Sequence, residues 1–164
     1  MNGLLIGRFQ PFHLGHLDAI LFGLSRAENL FIGIGSSNKS NEMKNPFSAE
    51  ERRDMIISSI EPSMADRLKI FDIPDVGDHG KWTFKIDEIV PKYDVIFTND
   101  EFTKTLFEKR GMNVIPVVLK DRGKFSGTNV RQLIADGKNW QDLVPHGTRK
   151  VLDKINAKDR LKNL

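Results

Sequence analysis

Two histidines near the start of the chain are the side chains best suited to phosphate chemistry. His13 and His16 flank Gly15 in the sequence His-Leu-Gly-His, and Arg8 precedes them. Because Pro11 prevents a helix from running through this segment, we expect a turn that puts the histidines at the N-terminus of the next helix. Free backbone N–H groups and the helix dipole favour an anion there. The segment therefore predicts a phosphate site; the alternative is a strand-to-helix turn whose histidines only cap the helix.

A second candidate phosphate site lies at residues 120–131, in the last third of the chain. Ser126 and Thr128 can each serve as the N-cap of a helix that Gly137 closes. Arg131, one turn into that helix, carries a planar guanidinium suited to bidentate contact with phosphate. The alternative is an ordinary capped helix with an exposed arginine.

Strand-like and helix-like segments alternate along the chain and must position these two sites. The predicted strands are residues 4–6, 30–35, 68–71, 94–97 and 114–118. This alternation is typical of right-handed βαβ units, so we expect a single Rossmann-like, doubly wound α/β domain over residues 1–164. Its parallel sheet should have five or six strands, with helices on both faces. Since ligands bind beyond the carboxyl ends of such strands, both phosphate sites should face one crevice.

Local patterns define several of the helices. The first should bury a face made by Leu17, Ile20, Leu21 and Leu24. Ser48 and Glu51 have the spacing of a capping box at the start of another helix. Apolar residues at helical spacing also predict an amphipathic C-terminal helix from about residue 146, packed on the domain. Its basic residues indicate a solvated face; the alternative is nucleic-acid binding.

Composition narrows the functional classes. The chain has 164 residues, of which 39 % are hydrophobic and 29 % are charged, as in an ordinary globular domain. It has no cysteine, which excludes disulfides, thiolate metal sites and a cysteine nucleophile. The chain opens on a strand and has no apolar run of membrane-spanning length, so we expect a cytoplasmic protein with no membrane partner. His79 and His146 stand alone, and no protein metal site is predicted.

Taken together, the two candidate phosphate sites resemble the signatures of the HxGH nucleotidylyltransferase superfamily. His13 to His16 is similar to the first signature, and residues 125–131 are similar to the second. More narrowly, the chain resembles the archaeal type of nicotinamide-nucleotide adenylyltransferase. The segments that carry this narrower resemblance are residues 7–12, residues 45–52 and Trp82.

The resemblance implies transfer of AMP from ATP to nicotinamide mononucleotide (NMN), which gives NAD and pyrophosphate. The NMN phosphate would attack the α-phosphorus directly, without a covalent intermediate, and Mg²⁺ would accompany ATP. ATP and NMN would be the partners, with no nucleic acid. The resemblance also suggests a homo-oligomer, with a hexamer as one form.

The same resemblance implies roles for individual residues. The catalytic set would be His16, His13, Arg8, Lys44 and Arg131. The ATP-binding set would be Gly7, Arg8, Phe9, His13, Gly15, His16, Ser126, Thr128 and Arg131. Relatives often carry a histidine where Asn41 follows Ser40 here, so the resemblance does not carry over the phosphate contact of that histidine. Asn99 is a candidate contact for a ribose.

The expected NMN site has a physical argument of its own. Trp82 offers a strong cation–π face to the positively charged pyridinium ring of NMN. Nearby carboxylates at Asp72, Asp75 and Asp78 favour a cationic ligand. By the resemblance, Trp82, Asp75 and Val76 would bind NMN. The alternative is a core tryptophan beside a solvated acidic turn.

Other functions fit parts of the same pattern. Gly33 and Gly35 hint at a dinucleotide fingerprint, but the third glycine is missing, so a hydride-transferring enzyme is not expected. A nucleotidylyltransferase acting on phosphopantetheine or an alcohol phosphate would share both signatures, although Trp82 and residues 45–52 speak against it. A non-catalytic nucleotide sensor or nucleic-acid-binding module would bind without turnover.

Overall fold

A computed structural model describes residues 1–118 and 121–164. The strands in these residues are β1 (Asn2–Gly7), β2 (Asn29–Ile34), β3 (Leu68–Asp72), β4 (Val95–Phe97) and β5 (Asn113–Ile115). The helices are α1 (Leu14–Arg26), α2 (Ala49–Ser59), α3 (Pro62–Ala65), α4 (His79–Ile89), α5 (Glu101–Glu108), α6 (Gly127–Ala135), α7 (His146–Lys154) and α8 (Ala157–Lys162). Gln141–Leu143 form a short 3₁₀ turn.

The described strands form one parallel sheet of five, in the order β3-β2-β1-β4-β5. Central β1 pairs with β2 from Asn2 to Gly7 and with β4 from Gly3 to Leu5. The chain builds the sheet outward from β1 to β3, then crosses back to lay β4 on the other side of β1. The carboxyl end of β1 is therefore a switch point, where a ligand crevice opens in folds of this kind. The predicted doubly wound α/β fold is confirmed.

Two apolar clusters cover the two faces of the sheet. Leu5 packs on one face with Ile20 of α1 and Val130 of α6. Its neighbour Leu4 packs on the other face with Ile86 of α4 and Phe107 of α5. Successive strand residues point to opposite faces, so β1 is buried on both sides, as a central parallel strand requires.

The buried stripe of α1 differs from the predicted one. Leu21 is 41 % exposed, whereas Ala19, Ile20, Gly23 and Leu24 are buried. Gly23 lies so close to β2 that an added Cβ would be 3.0 Å from the Leu30 side chain. The small residues therefore face the sheet and let the helix approach it. The predicted face was wrong in part because it counted only large apolar residues and left out the buried glycine and alanine.

Two other boundaries were also predicted wrongly. β5 ends at Ile115 instead of residue 118, because Pro116 has no backbone N–H to continue the ladder. The C-terminal segment is two helices, since Asn156 adopts a left-handed conformation with φ 52° and turns the chain between α7 and α8. Asparagine tolerates this region better than most residues.

The C-terminal helices pack against α2 and α6. Helix α7 crosses α2 at Gly147, where a Cβ would lie only 2.6 Å from the Ser58 side chain. Arg160 of α8 binds both carboxylate oxygens of Glu51, at 2.6 and 2.9 Å. Among the described residues, no helix has both the length and the apolar character needed to cross a bilayer.

Candidate active site

The turn between β1 and α1 ends in a cap made of two histidines. His13 is the N-cap of α1, and its Nδ1 accepts a hydrogen bond from the His16 N–H at 3.3 Å. His16 Nδ1 in turn accepts from the His13 N–H at 3.1 Å. The rings stack with their centroids 3.6 Å apart. The arrangement is a reciprocal capping box in which imidazoles replace the usual Ser or Thr and Glu or Gln.

These hydrogen bonds fix the tautomer of each ring. Because both Nδ1 atoms accept, a neutral ring must carry its proton on Nε2. Burial lowers the pKa of His13 to about 4. Burial and the neighbouring His13 lower the pKa of His16 well below its usual value. Near neutral pH the cap therefore presents two neutral Nε2–H donors, and a phosphate beside them would raise both pKa values.

The ring of Phe9 packs against the His16 ring, and Gly7 leaves room for it. Phe9 is 1 % exposed, and its ring meets the His16 ring edge-on at 4.8 Å. The Phe9 ring also lies over Gly7, where a Cβ would be 2.8 Å from it, so only glycine fits there. Phe9 itself has a positive φ of 54°. Its side chain faces the protein, which leaves only the Phe9 backbone for the ATP contact expected from the sequence.

The start of α6 forms the second cluster of donors. Ser126 is the N-cap, and its Oγ accepts from the Asn129 N–H at 3.1 Å. Of the two caps that the sequence allowed, the helix therefore uses Ser126, while Thr128 lies within the first turn. Arg131 donates from Nη2 to Thr128 Oγ1 at 3.4 Å.

The two helix starts touch each other. Arg131 Nη1 donates to the Gln10 carbonyl oxygen at 2.7 Å, across 121 residues of sequence. Burial and the nearby charge of Arg8 lower the pKa of Arg131. Gly15 of α1 packs against Phe125, since a Cβ there would be 3.2 Å from the Phe125 Cβ. The start of α6 and the turn before α1, which are far apart in the chain, are therefore in direct contact.

A cavity of about 290 Å³ opens between these helix starts. His13, Gly15 and His16 line one side, and Ser126 and Arg122 line the other. A larger cavity of about 770 Å³ lies on the opposite side of the end of β1. It is lined by Gly7, Arg8, Asp75, Val76 and Trp82, among others. The two cavities share Ile6, Thr98 and Asp100, so they adjoin at the carboxyl ends of β1 and β4.

Lys44, Thr128 and Arg131 line neither of these cavities. They border a separate groove of about 320 Å³, together with Met43. Arg131 nevertheless reaches the turn before the histidine pair, through its hydrogen bond to the Gln10 carbonyl oxygen. The structure therefore groups Ser126 with the histidines, and groups Lys44 with Arg131 and Thr128.

The larger cavity contains every residue predicted to bind NMN. Trp82 is half-buried on α4, edge-on to the Phe107 ring at 6.3 Å. Asp75 accepts from Ser36 Oγ at 3.0 Å and lies 3.5 Å from Lys39 Nζ. The other two predicted carboxylates serve the fold: Asp72 pairs with Arg53, and Asp78 caps α4. Trp82 thus both packs on the core and lines a cavity, so the two readings of it are compatible.

Arg52 is a buried residue behind the site, and no role was predicted for it although it ends the segment 45–52 that carries the resemblance. Its guanidinium donates to the carbonyl oxygens of Arg8 at 2.9 Å, Gly35 at 2.7 Å and Ser36 at 3.1 Å. Burial lowers its pKa to about 10. It therefore ties the ends of β1 and β2 together behind the larger cavity. An arginine early in a helix looks like a surface residue, and apart from the Ser48 carbonyl one turn back its partners lie 13 to 44 residues away.

Asn99 also forms side-chain hydrogen bonds with backbone groups. Its Oδ1 accepts from the Val117 N–H at 2.8 Å, and its Nδ2 donates to the Val117 carbonyl oxygen. Both ends of the amide hold the chain that follows β5, beside the smaller cavity. The described residues contain no group of three or more His, Asp or Glu side chains placed to hold a metal ion.

Comparisons with known proteins place the chain in a family. Residues 4–133 match the model of the cytidylyltransferase-like family. A nicotinamide-nucleotide adenylyltransferase of Thermococcus onnurineus is 34 % identical over 164 residues, covering 99 % of this chain and 88 % of the relative. One of Methanococcus aeolicus is 35 % identical over 164 residues, covering 100 % of this chain and 95 % of the relative.

A solved structure shares the fold. The bifunctional NMN adenylyltransferase/ADP ribose pyrophosphatase of Francisella tularensis superposes with a TM-score of 0.80 at 24 % identity. The match covers 98 % of this chain and 52 % of that one, so the chain spans about half of the bifunctional protein. The family model and the relatives, which match nearly all of this chain and most of their own length, lead to one conclusion: the chain belongs to the cytidylyltransferase-like family and, within it, to the nicotinamide-nucleotide adenylyltransferases.

Proposed function

We propose that this chain transfers AMP from ATP to NMN, forming NAD and pyrophosphate. The observation that carries the proposal is the meeting of two helix N-termini at the switch point of the sheet. The His13–His16 cap and Ser126 face one cavity there, and Trp82 lines the cavity next to it. Such a pair of adjoining cavities suits a reaction that joins two nucleotides.

ATP is assigned to the smaller cavity and its phosphates to the donors at the helix starts. The Nε2–H groups of His13 and His16 would bind the α- and β-phosphates and stabilise the charge that builds up during transfer. Ser126 would hold the leaving β- and γ-phosphates from the same cavity, and Thr128 and Arg131 would reach them from the separate groove that they line. Arg8, which lines the larger cavity, and Lys44, which lines the separate groove, would hold the phosphate chain from other loops. The backbone at Gly15, which lines the smaller cavity, would let the phosphates approach closely.

NMN is assigned to the larger cavity. The face of Trp82 would stack on the pyridinium ring, with Asp75 and Val76 beside it. The NMN phosphate would then approach the α-phosphorus where the cavities adjoin. The donor set contains no activated nucleophile, so catalysis would consist of positioning and charge stabilisation, with direct in-line attack.

Mg²⁺ is proposed to arrive with ATP. The groups at the helix starts are N–H and hydroxyl donors, which suit phosphate oxygens, and the oxygens in turn suit Mg²⁺. Histidine and arginine side chains would therefore hold the ion only through the triphosphate. When bound, the ion would neutralise charge on the phosphates. The protein's own residues would orient the triphosphate that carries the ion.

The direct test is to measure NAD formation and pyrophosphate release from ATP with alternative acceptors. NMN, nicotinic acid mononucleotide and phosphopantetheine are compared at equal concentrations. We expect one NAD per pyrophosphate with NMN and no release with phosphopantetheine. ATP binding without release in the presence of NMN would overturn the proposal and favour a nucleotide sensor.

Three further properties are proposed on the sequence alone. The chain would work as one nucleotidylyltransferase domain, in the cytoplasm, as a homo-oligomer. Light scattering of the purified protein measures the assembly, and cell fractionation measures the location. A monomer at the concentrations used for the assay would contradict the proposed assembly.

A further inference from the structure

Gln10 is a buried residue of the turn before α1, with only 3 % of its surface exposed. Its side-chain Nε2 donates to the Phe47 carbonyl oxygen at 3.0 Å, and its Oε1 accepts from the Phe47 N–H at 3.0 Å. One side-chain amide thus pairs with both polar groups of a residue 37 positions away. A neighbouring β-strand would bind Phe47 in the same way.

The backbone of Gln10 contacts a third segment. Its carbonyl oxygen accepts the 2.7 Å hydrogen bond from Arg131 Nη1. The N-terminus of α6 also packs on this carbonyl, since a Cβ on Gly127 would lie 3.0 Å from the oxygen. A displacement of Gln10 therefore changes the position available to the Arg131 guanidinium.

Phe47 lies near the end of the loop between β2 and α2, which carries Lys44. Its side chain is fully buried in the main core, so the loop is fixed at this point. The preceding carbonyl, at Pro46, accepts from the Asn41 N–H at 3.3 Å and closes the loop on itself. Arg160 Nη1 also donates to the Pro46 carbonyl oxygen, at 3.2 Å. The hydrogen bonds from Gln10 to Phe47 therefore tie the turn that carries the histidines to the anchored end of the loop that carries Lys44.

We propose that Gln10 is a positioning residue for ATP. It holds the cations Arg131 and Lys44 in register with the His13–His16 cap, which follows it by three residues. The side-chain oxygen and nitrogen of Gln10 both bond to Phe47, so it acts through its neighbours and not on a ligand. This inference rests on the proposed function, because it assumes that those cations bind the triphosphate.

The test variant is Gln10→Glu, which keeps the shape of the side chain. At pH 8 its second carboxylate oxygen would face the Phe47 carbonyl oxygen. The contact with Phe47 then loses the hydrogen bond to this carbonyl and gains a repulsion between the two oxygens. We expect kcat/KM for ATP to fall about tenfold or more, because small misplacements of binding groups are costly. The KM for NMN should stay within about twofold of wild type, since Trp82 and Asp75 are untouched.

The pH dependence of this variant gives a second readout. A buried carboxyl beside a carbonyl oxygen has a raised pKa, and its protonated form can donate as the amide does. The deficit of Gln10→Glu against wild type should therefore shrink as the pH falls from 8 to 6. Gln141→Glu is the matched control. Gln141 Oε1 accepts from the Trp140 N–H, an acceptor that glutamate keeps, and this variant should behave as wild type.

ATP binding is measured by calorimetry without NMN, so that the two proposals can fail separately. Wild type that binds ATP but forms no NAD would overturn the proposed function, while the ATP affinity of the variants would still decide the role of Gln10. If Gln10→Glu does not fold, Gln10→Met removes both hydrogen bonds without adding charge. A folded variant that binds ATP within twofold of wild type, or that weakens ATP and NMN equally, would overturn the inference whatever its thermal stability.

A double-mutant comparison tests the route of the effect. In an Arg131→Ala background, Gln10→Glu should weaken ATP binding less than it does in wild type, because one of the groups that it positions is gone. Fully additive effects would contradict positioning through Arg131.

Discussion

Helices α1 and α2 begin with the same reciprocal hydrogen bonds, built from different side chains. At α2, Ser48 Oγ accepts from the Glu51 N–H at 3.1 Å, and Glu51 Oε1 accepts from the Ser48 N–H at 2.9 Å. At α1, His13 and His16 make the equivalent pair of bonds. Both caps satisfy backbone donors that would otherwise lack a partner.

The caps differ in which hydrogen-bonding groups of the capping side chains remain available to a ligand. The Glu51 carboxylate is also bound by Arg160, and its negative charge already compensates the positive end of the helix dipole. Each imidazole of α1 uses Nδ1 for the cap and keeps Nε2–H, on a ring without charge. The α1 terminus therefore retains its affinity for an anion. One cap is an anchor for the fold, and the other leaves donors for a ligand.

The largest predicted effect comes from removing a histidine of the α1 cap. On the proposed function, His16→Ala would lose one preorganised donor to the phosphates, which typically costs about 3–4 kcal/mol of transition-state stabilisation. We expect kcat to fall on the order of a hundredfold or more, measured as AMP transfer in a single turnover. Glu51→Gln, at the same position of the α2 cap, should keep kcat within about twofold. Wild-type transfer by His16→Ala would show that the two caps do not differ in function.

The next effect separates the phosphate end of the site from the NMN end. Trp82→Ala should raise the KM for NMN about tenfold, because it removes the cation–π face and its packing. The KM for ATP should change little, since Trp82 does not line the smaller cavity. Steady-state kinetics with each substrate varied in turn measure both values. Equal changes in both would point to a folding role for Trp82.

A smaller effect concerns protons taken up on binding. The pKa of His13, about 4 in the free protein, should rise when a phosphate binds. A group whose pKa is raised in the complex takes up protons there, so ATP should bind more tightly as the pH falls from 8 to 6. Calorimetry in buffers of different ionisation enthalpy counts those protons. His13→Asn keeps a cap acceptor without a titrating ring and should take up fewer. Equal uptake by both proteins would contradict this assignment.

The smallest effect belongs to the α2 cap and concerns stability. Burial raises the pKa of Glu51, but hydrogen bonds from Arg160 and Ser48 outweigh it, and the net pKa is lowered. Glu51→Gln keeps the capping box and loses the ion pair, so the free energy of unfolding should fall by about 1–2 kcal/mol at pH 7. A carboxyl group whose pKa is lowered by folding stabilises the folded protein at pH values above its unfolded pKa. That stabilisation is lost as the pH falls through the folded pKa. The difference should therefore shrink below about pH 4 in denaturant titrations. A difference that persists there would exclude the ion pair as its cause.

The sequence predicted those parts of the molecule that depend on local patterns. The strand–helix alternation, the Ser48–Glu51 capping box and the helix start at His13 all follow from residues within a few positions of one another. The contacts of Gln10, Arg52 and Arg131 could not be predicted, because their partners lie up to 121 residues away and polar residues in a turn or an early helix look exposed. The break at Asn156 was missed for a different reason: apolar residues continue at helical spacing from Val151 to Leu161, while Asn156 adopts a left-handed conformation between the two helices.

The central claim is that the two helix starts hold the triphosphate of ATP together. A crystal structure with a non-hydrolysable ATP analogue and NMN tests it most directly. We predict phosphate oxygens within hydrogen-bond distance of His13 Nε2 and His16 Nε2 on one side, and of Ser126 and the first turn of α6 on the other. A triphosphate bound to only one of these helix starts, or outside the cavity between them, would contradict the account.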